Sequence, residues 1–304
     1  MFQLLQYDFV QNAFLAGSLI AIMAATIGYF VVLRAQAFAG EALADIGFAG
    51  ATGAAILGIS SLLGMLGLSL LSALGIGALG ERVRGRDIEI GMILSFALGL
   101  GVLFLSIYIQ NGANANAGVS VLFGSILTVT RRDVIITLIT GSVSLLILGF
   151  LFRPLLFASI DPEVAQARGV PVRLLSIVFL LLLAVATAEA VLVIGVLLVF
   201  ALLIAPAAAA EHLTHRPLTA IMLSAILGLA FTWIGLLLAF VGTGYHFPVS
   251  FYISAMAALT YFASLVIARF RSPRRYRELP HPNREHIPAH SHLRGKNGVF
   301  RHIL

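Results

Sequence analysis

The sequence predicts an all-α, polytopic membrane helix bundle of about nine transmembrane helices and one short re-entrant segment. Three observations carry this expectation. Of the 304 residues, 60% are hydrophobic and only 11% are charged, against about a quarter charged in soluble domains. So few charges cannot cover a water-soluble globule of this size, whereas lipid accepts an apolar exterior. Apolar runs of about 20 residues, the length that crosses a hydrocarbon core, recur as far as Ala268. The basic residues are confined to short connections and a C-terminal tail, which is the distribution membrane topology requires and argues against a nucleic-acid partner.

The elements follow in order. The first span runs from about Val10 to Leu33 and stops at Arg34. The second, Ala35 to about Ile59, contains Glu41 and Asp45. The third, Leu62 to Leu79, is closed by the charged loop 81–87, and the fourth covers Ile88 to Ile109. Asp87 and Glu89 open that fourth helix, where negative charge suits the helix dipole. A Gly/Asn-rich loop, 110–118, follows. Val119 to Thr130 is apolar but too short to span, so it is expected to be re-entrant or interfacial. The fifth span is Val134 to Phe152. One apolar run, Leu174 to Ala210, is too long for a single crossing and is read as the sixth and seventh spans, with Glu189 marking the turn near the outer face. The eighth span is Leu218 to Val241 and the ninth about Phe247 to Ala268. The membrane domain thus covers residues 1–270. Residues 271–304, with His281, His286, His290, His292 and His302, lack apolar periodicity and are expected to remain a polar, unpacked cytoplasmic tail. With the N-terminus outside and the C-terminus inside, only Arg131 and Arg132 of the 19 Lys and Arg fall on the outer side. The N-terminus shows no basic stretch or cleavage site of a signal peptide.

Charge inside a bilayer is costly and usually marks a pathway. Glu41 and Asp45 lie four residues apart, hence one helical turn apart on one face, with Asp45 roughly 15 Å from Arg34 at the helical rise per residue. Two such carboxylates repel unless a proton or cation sits between them, so the pair is the leading candidate for a divalent-metal site. Glu189 and His246, the latter in an outer loop, are secondary candidates. There is no cysteine, and therefore no thiolate ligand or nucleophile. The only lysine is Lys296 and no G-x-x-x-x-G-K-(S/T) occurs, so the chain has no P-loop with which to hydrolyse ATP. H-E-x-x-H and G-x-S-x-G are also missing, and no enzymatic chemistry is supported.

Five segments carry recognisable motifs. Residues 38–50, from Phe38 through Glu41 and Asp45 to Gly50, are similar to F-x-G-(D/E)-A-L-(S/A)-H-x-x-x-x-G. Residues 122–127 match L-F-G-S-(I/L)-L. Residues 161–171, from Asp161 to Pro171, resemble D-P-E-x-A-x-x-x-G-V-P, and 195–208 resemble G-V-L-L-V-x-A-L-L-x-x-P-A-A. Together with residues 86–91, which look like the start of its fourth helix, these segments resemble the membrane permease subunit of bacterial zinc/manganese/iron ABC importers. The resemblance covers about Phe9 to Ala268.

The resemblance implies a homodimeric or pseudo-dimeric permease in the bacterial cytoplasmic (inner) membrane. It would import a divalent metal, zinc or manganese or iron, with ATP hydrolysed by a separate cytoplasmic ABC ATPase. An extracellular or periplasmic metal-binding protein would feed it, and no resident cofactor is implied. Asp161, Pro162, Glu163, Ala165, Arg168 and Gly169 would form the loop that couples to the ATPase. The chain departs from the family pattern at Asp45, where many members carry His. Two carboxylates are harder ligands than a carboxylate and an imidazole, and favour manganese over zinc. A stand-alone secondary cation transporter or channel is the alternative reading, and it has no need of the 161–169 loop.

Overall fold

The computed structural model describes residues 7–79, 86–110, 124, 126, 129–214, 216–241 and 248–271. Within them every regular element is a helix. The long helices are α1 (Asp8–Leu33), α2 (Ala37–Ile56), α3 (Ser61–Leu79), α4 (Arg86–Gln110), α5 (Arg131–Ile160), α7 (Val172–Ile194), α8 (Val196–Leu213), α9 (Pro217–Val241) and α10 (Val249–Arg271), and α6 (Pro162–Ala167) is a short one. The C-terminal tail, the 80–85 loop and His246 lie outside the described residues.

Seven of these helices, α1, α3, α4, α5, α7, α9 and α10, are long and apolar enough to cross a membrane unaided. The two others are the shortest-reaching or least apolar: α8 has 18 residues, and α2 carries two carboxylates among its glycines and alanines. Both are enclosed by other helices: α2 by α3, α4, α7 and α8, and α8 by α1, α9 and α10. A helix shielded in this way needs no lipid-compatible exterior of its own.

The side-chain contacts set the direction of each helix. Let the end where α1 starts be the upper end. Phe14 packs edge-on to Trp233 at 5.9 Å, and the Trp233 indole N–H donates to Ser18 Oγ at 2.8 Å, so α9 ends there. Ser69 Oγ donates to the Leu43 carbonyl at 3.1 Å, and a Cβ on Gly50 would strike Gly64, so α3 runs antiparallel to α2. Gly101 lies against Phe48 and Ala49 and Gly53 against Phe104, so α4 runs parallel to α2 and ends at the upper end. There Asn12 Nδ2 donates to the Val129 carbonyl at 3.3 Å, one residue before the cap of α5. Thr130 and Asp133 close a capping box at that helix start, each side chain accepting from the other's backbone N–H. Thus α4 ends and α5 begins at the same end. Of the segment expected to re-enter, Gly124, Ile126, Val129 and Thr130 are described, and Ile126 packs against α1 beside Gly17.

The structure corrects the position of the turn in the long apolar run. Glu189 is not at a turn. It sits inside α7, 2% exposed, and the chain reverses six residues later at Gly195. Gly195 has φ 85° and ψ 157°, a region open in practice to glycine alone. Leu183 and Leu203 both lie within 4 Å of a Cβ built on Gly40, although a straight helix would hold them about 30 Å apart. Gly124 (φ 85°) backs onto this reversal, its added Cβ reaching the Gly195 nitrogen at 2.8 Å.

Candidate metal centre

Helix α2 begins immediately after the short link 34–36. Arg34 bonds Ser176 Oγ, and its guanidinium lies 5.4 Å from the centroid of the Phe179 ring, which ties the lower end of α1 to the start of α7. The glycines of α2 let neighbouring helices come close. Gly40 faces Leu183 and Leu203, Gly47 faces Ser69 and Met65, and Gly50 faces Gly64. Against this packing the two carboxylates stand out. Asp45 is 4% exposed, and Glu41, one turn toward the lower end, is partly exposed. The two are close enough to interact electrostatically. The pair therefore runs from a partly open position to an enclosed one. No Lys or Arg occurs in α3, α8 or the interiors of α4 and α7, the helices packed on α2. A counter-charge for the pair must then come from a proton or a mobile cation.

Among the described residues no third His, Cys, Asp or Glu joins Glu41 and Asp45 in a metal-holding group. Glu189 is therefore not part of their cluster. Its depth is nevertheless the same. Helices α2 and α7 both run from the lower to the upper end, and Leu183 is level with Gly40. Asp45 lies five residues beyond Gly40, and Glu189 six beyond Leu183. Neither carboxylate oxygen of Glu189 has a hydrogen-bond partner.

At the lower end, Asp161 Oδ1 accepts from the Val164 N–H at 3.0 Å and Pro162 occupies the first turn of α6, a favoured helix start. Gly169 (φ 82°) ends it. Only Ala165 of this helix is buried, while Glu163, Val164 and Arg168 face outward. Arg173 donates to the Ala78 carbonyl at 3.1 Å nearby. Sequence reasoning placed a polar loop between spans here, and the structure shows that it contains the short helix α6. It missed Thr140, which faces Glu189 from α5, because a lone threonine in an apolar run carries no signal until its neighbour is known.

Apolar helices long enough to cross a membrane, packed around an enclosed helix that carries an acidic pair, make this a multi-pass membrane protein. The ABC 3 transport family matches residues 6–268, and the chain belongs to that family, as a multi-pass protein of the bacterial inner membrane. It is 32% identical over 275 residues to the manganese transport system membrane protein MntC of Halalkalibacterium halodurans, with 90% of each chain covered. It is 31% identical over 264 residues to the manganese import system permease protein ScaB of Streptococcus parasanguinis, covering 86% of this chain and 92% of that one. The structure of PsaBC from Streptococcus pneumoniae in complex with Fab superposes with a TM-score of 0.76 at 29% identity, over 86% of this chain and 92% of that chain.

Proposed function

We propose that this chain is the permease through which an ATP-driven importer carries manganese into the cell, working as a homodimer with a cytoplasmic ABC ATPase and an extracellular or periplasmic metal-binding protein. The observation that carries the reading is the Glu41–Asp45 pair, one turn apart on an enclosed helix, with no Lys or Arg in α3, in α8 or in the interiors of α4 and α7 packed on it. Two carboxylates make an all-oxygen donor set, which suits manganese better than zinc or iron. The names of the relatives point to the same ion.

The orientation is N-out and C-in, with nine spans. Its support is the charge distribution. Arg34, Arg153, Arg168, Arg173, Arg216 and Arg269 all belong to the lower half of the bundle, while Arg131 and Arg132 lie at the upper end. Excess Lys and Arg marks the cytoplasmic side. The outward faces of Glu163 and Arg168 on α6 then meet the ATPase, which a stand-alone carrier would not require. The deciding experiment is uptake of radioactive manganese and zinc into cells that lack other importers and express the chain with its ATPase and binding protein. Manganese uptake that depends on all three components supports the reading. Uptake that persists without the ATPase would replace it with a stand-alone carrier.

A further inference from the structure

Glu189 is the one acidic side chain of the described bundle interior that the proposed cargo path leaves unused. It is 2% exposed and neither of its oxygens has a hydrogen-bond partner. Its side chain faces Thr140 of α5. The Thr140 hydroxyl lies 2.7 Å from the Ile136 carbonyl, and with its proton placed in that bond it presents a lone pair to Glu189. On α7 itself, Thr187 lies 2.9 Å from the Leu183 carbonyl. In this arrangement both hydroxyl protons are used within their own helices.

The helices packed on α7 are α1, α2, α3, α5, α6 and α8. Their ionisable residues are Asp8, Tyr29 and Arg34 near the ends of α1; Glu41 and Asp45 on α2; Arg131, Arg132, Asp133 and Arg153 on α5; Glu163 on α6; and Glu211 and His212 in the last turn of α8. Among the described residues none of them supplies a charge or a donor to Glu189, and the side chain that interacts with it is Thr140. Asp45 shares its depth, but Glu41, Asp45 and Glu189 do not come together as a group of three that could hold a metal ion.

An ionised carboxylate can only accept hydrogen bonds, whereas a protonated one has an O–H to donate. Buried without donors, the anion would cost several kcal/mol. The protonated form fits the surroundings, with its O–H directed at the Thr140 lone pair. We propose that Glu189 is a proton-binding site at mid-depth in the bundle, holding its proton in this conformation against Thr140 Oγ1. The site is separate from the Glu41–Asp45 pair, and the inference does not rest on which ion is transported.

The test is infrared spectroscopy of the full-length chain in lipid nanodiscs at neutral pH, with deuterium exchange to identify protonated carboxyl groups. Subtracting the spectrum of Glu189→Gln from that of the unsubstituted chain should leave one deuterium-sensitive carboxylic-acid carbonyl band. Thr140→Val, which removes the acceptor and keeps the shape, should shift that band to higher frequency without abolishing it. A difference spectrum showing a carboxylate band in place of the acid band would overturn the proposal. So would spectra of the unsubstituted chain, Glu189→Gln and Thr140→Val that superimpose throughout the carboxylic-acid region. Because no metal is added, failure here leaves the uptake experiment untouched, and loss of uptake there leaves this one untouched.

Discussion

At the scale of single residues, the proposed chemistry rests on Glu41 and Asp45. Metal binding requires both carboxylates deprotonated, so protons compete with the cation. Manganese uptake should therefore fall as external pH is lowered, because each carboxylate loses its charge as it takes up a proton. A profile that rises toward acid pH would contradict the pair as ligands. Asp45→Asn keeps the shape and removes one charge, and should lower manganese uptake by about tenfold or more, since disturbing even the groups that only support a metal ligand costs 10–100-fold. Glu41→Gln should act in the same direction. If both variants take up manganese at the unsubstituted rate with matched expression, the pair is a buried structural feature. Asp45→His should raise the ratio of zinc to manganese uptake, because imidazole suits zinc and carboxylate suits manganese.

At the scale of elements, helix packing is set by glycines and one polar helix is left free. A Cβ on Gly28 would fall on the Leu203 carbonyl oxygen, and one on Gly50 would strike the Gly64 backbone. These contacts bring α1 onto α8 and α2 onto α3 at backbone distance, the arrangement small residues permit in membranes. Gly195→Ala should destabilise the folded chain by on the order of 1–3 kcal/mol, because its backbone conformation is open to glycine alone. A lowered thermal unfolding midpoint in detergent would show this, while an unchanged midpoint would mean the reversal can relax. Helix α6 behaves oppositely. Glu163 and Arg168 are exposed, so exchanging their charges (Glu163→Arg with Arg168→Glu) should change stability by no more than about 0.5 kcal/mol. The same exchange should reduce co-purification of the ATPase and abolish uptake while membrane insertion survives. Full co-purification with normal uptake would remove α6 from the coupling interface.

At the scale of the whole molecule, topology can be tested because the native chain has no cysteine. A single Arg132→Cys at the upper end should react with an impermeant thiol reagent in intact cells. Gln166→Cys on α6 should react only after permeabilisation. External labelling at position 166 would invert everything after α4. The all-helical membrane character was legible in the sequence, because hydropathy over about 20 residues reports burial in lipid directly. So was the acidic pair, since spacing of four on a helix puts two side chains on one face whatever surrounds them. The turn between α7 and α8 was misread. A charge in a long apolar run suggests a solvent-exposed turn, and hydropathy cannot distinguish that from a buried acid. The break came at Gly195, whose only sequence signal was a glycine among many.

What the sequence by itself determined was an all-helical membrane chain, the order of its apolar segments and the polar connection between two of them. These are local properties of composition and spacing. Only the tertiary structure decided which helices are enclosed, that Glu189 and Asp45 lie level with each other on two helices in contact, and that Thr140 faces Glu189. The physical reason is that burial and hydrogen-bond satisfaction belong to pairs of residues far apart in the chain. Thr140 and Glu189 are brought together across two separate helices, and nothing in either segment alone records the other.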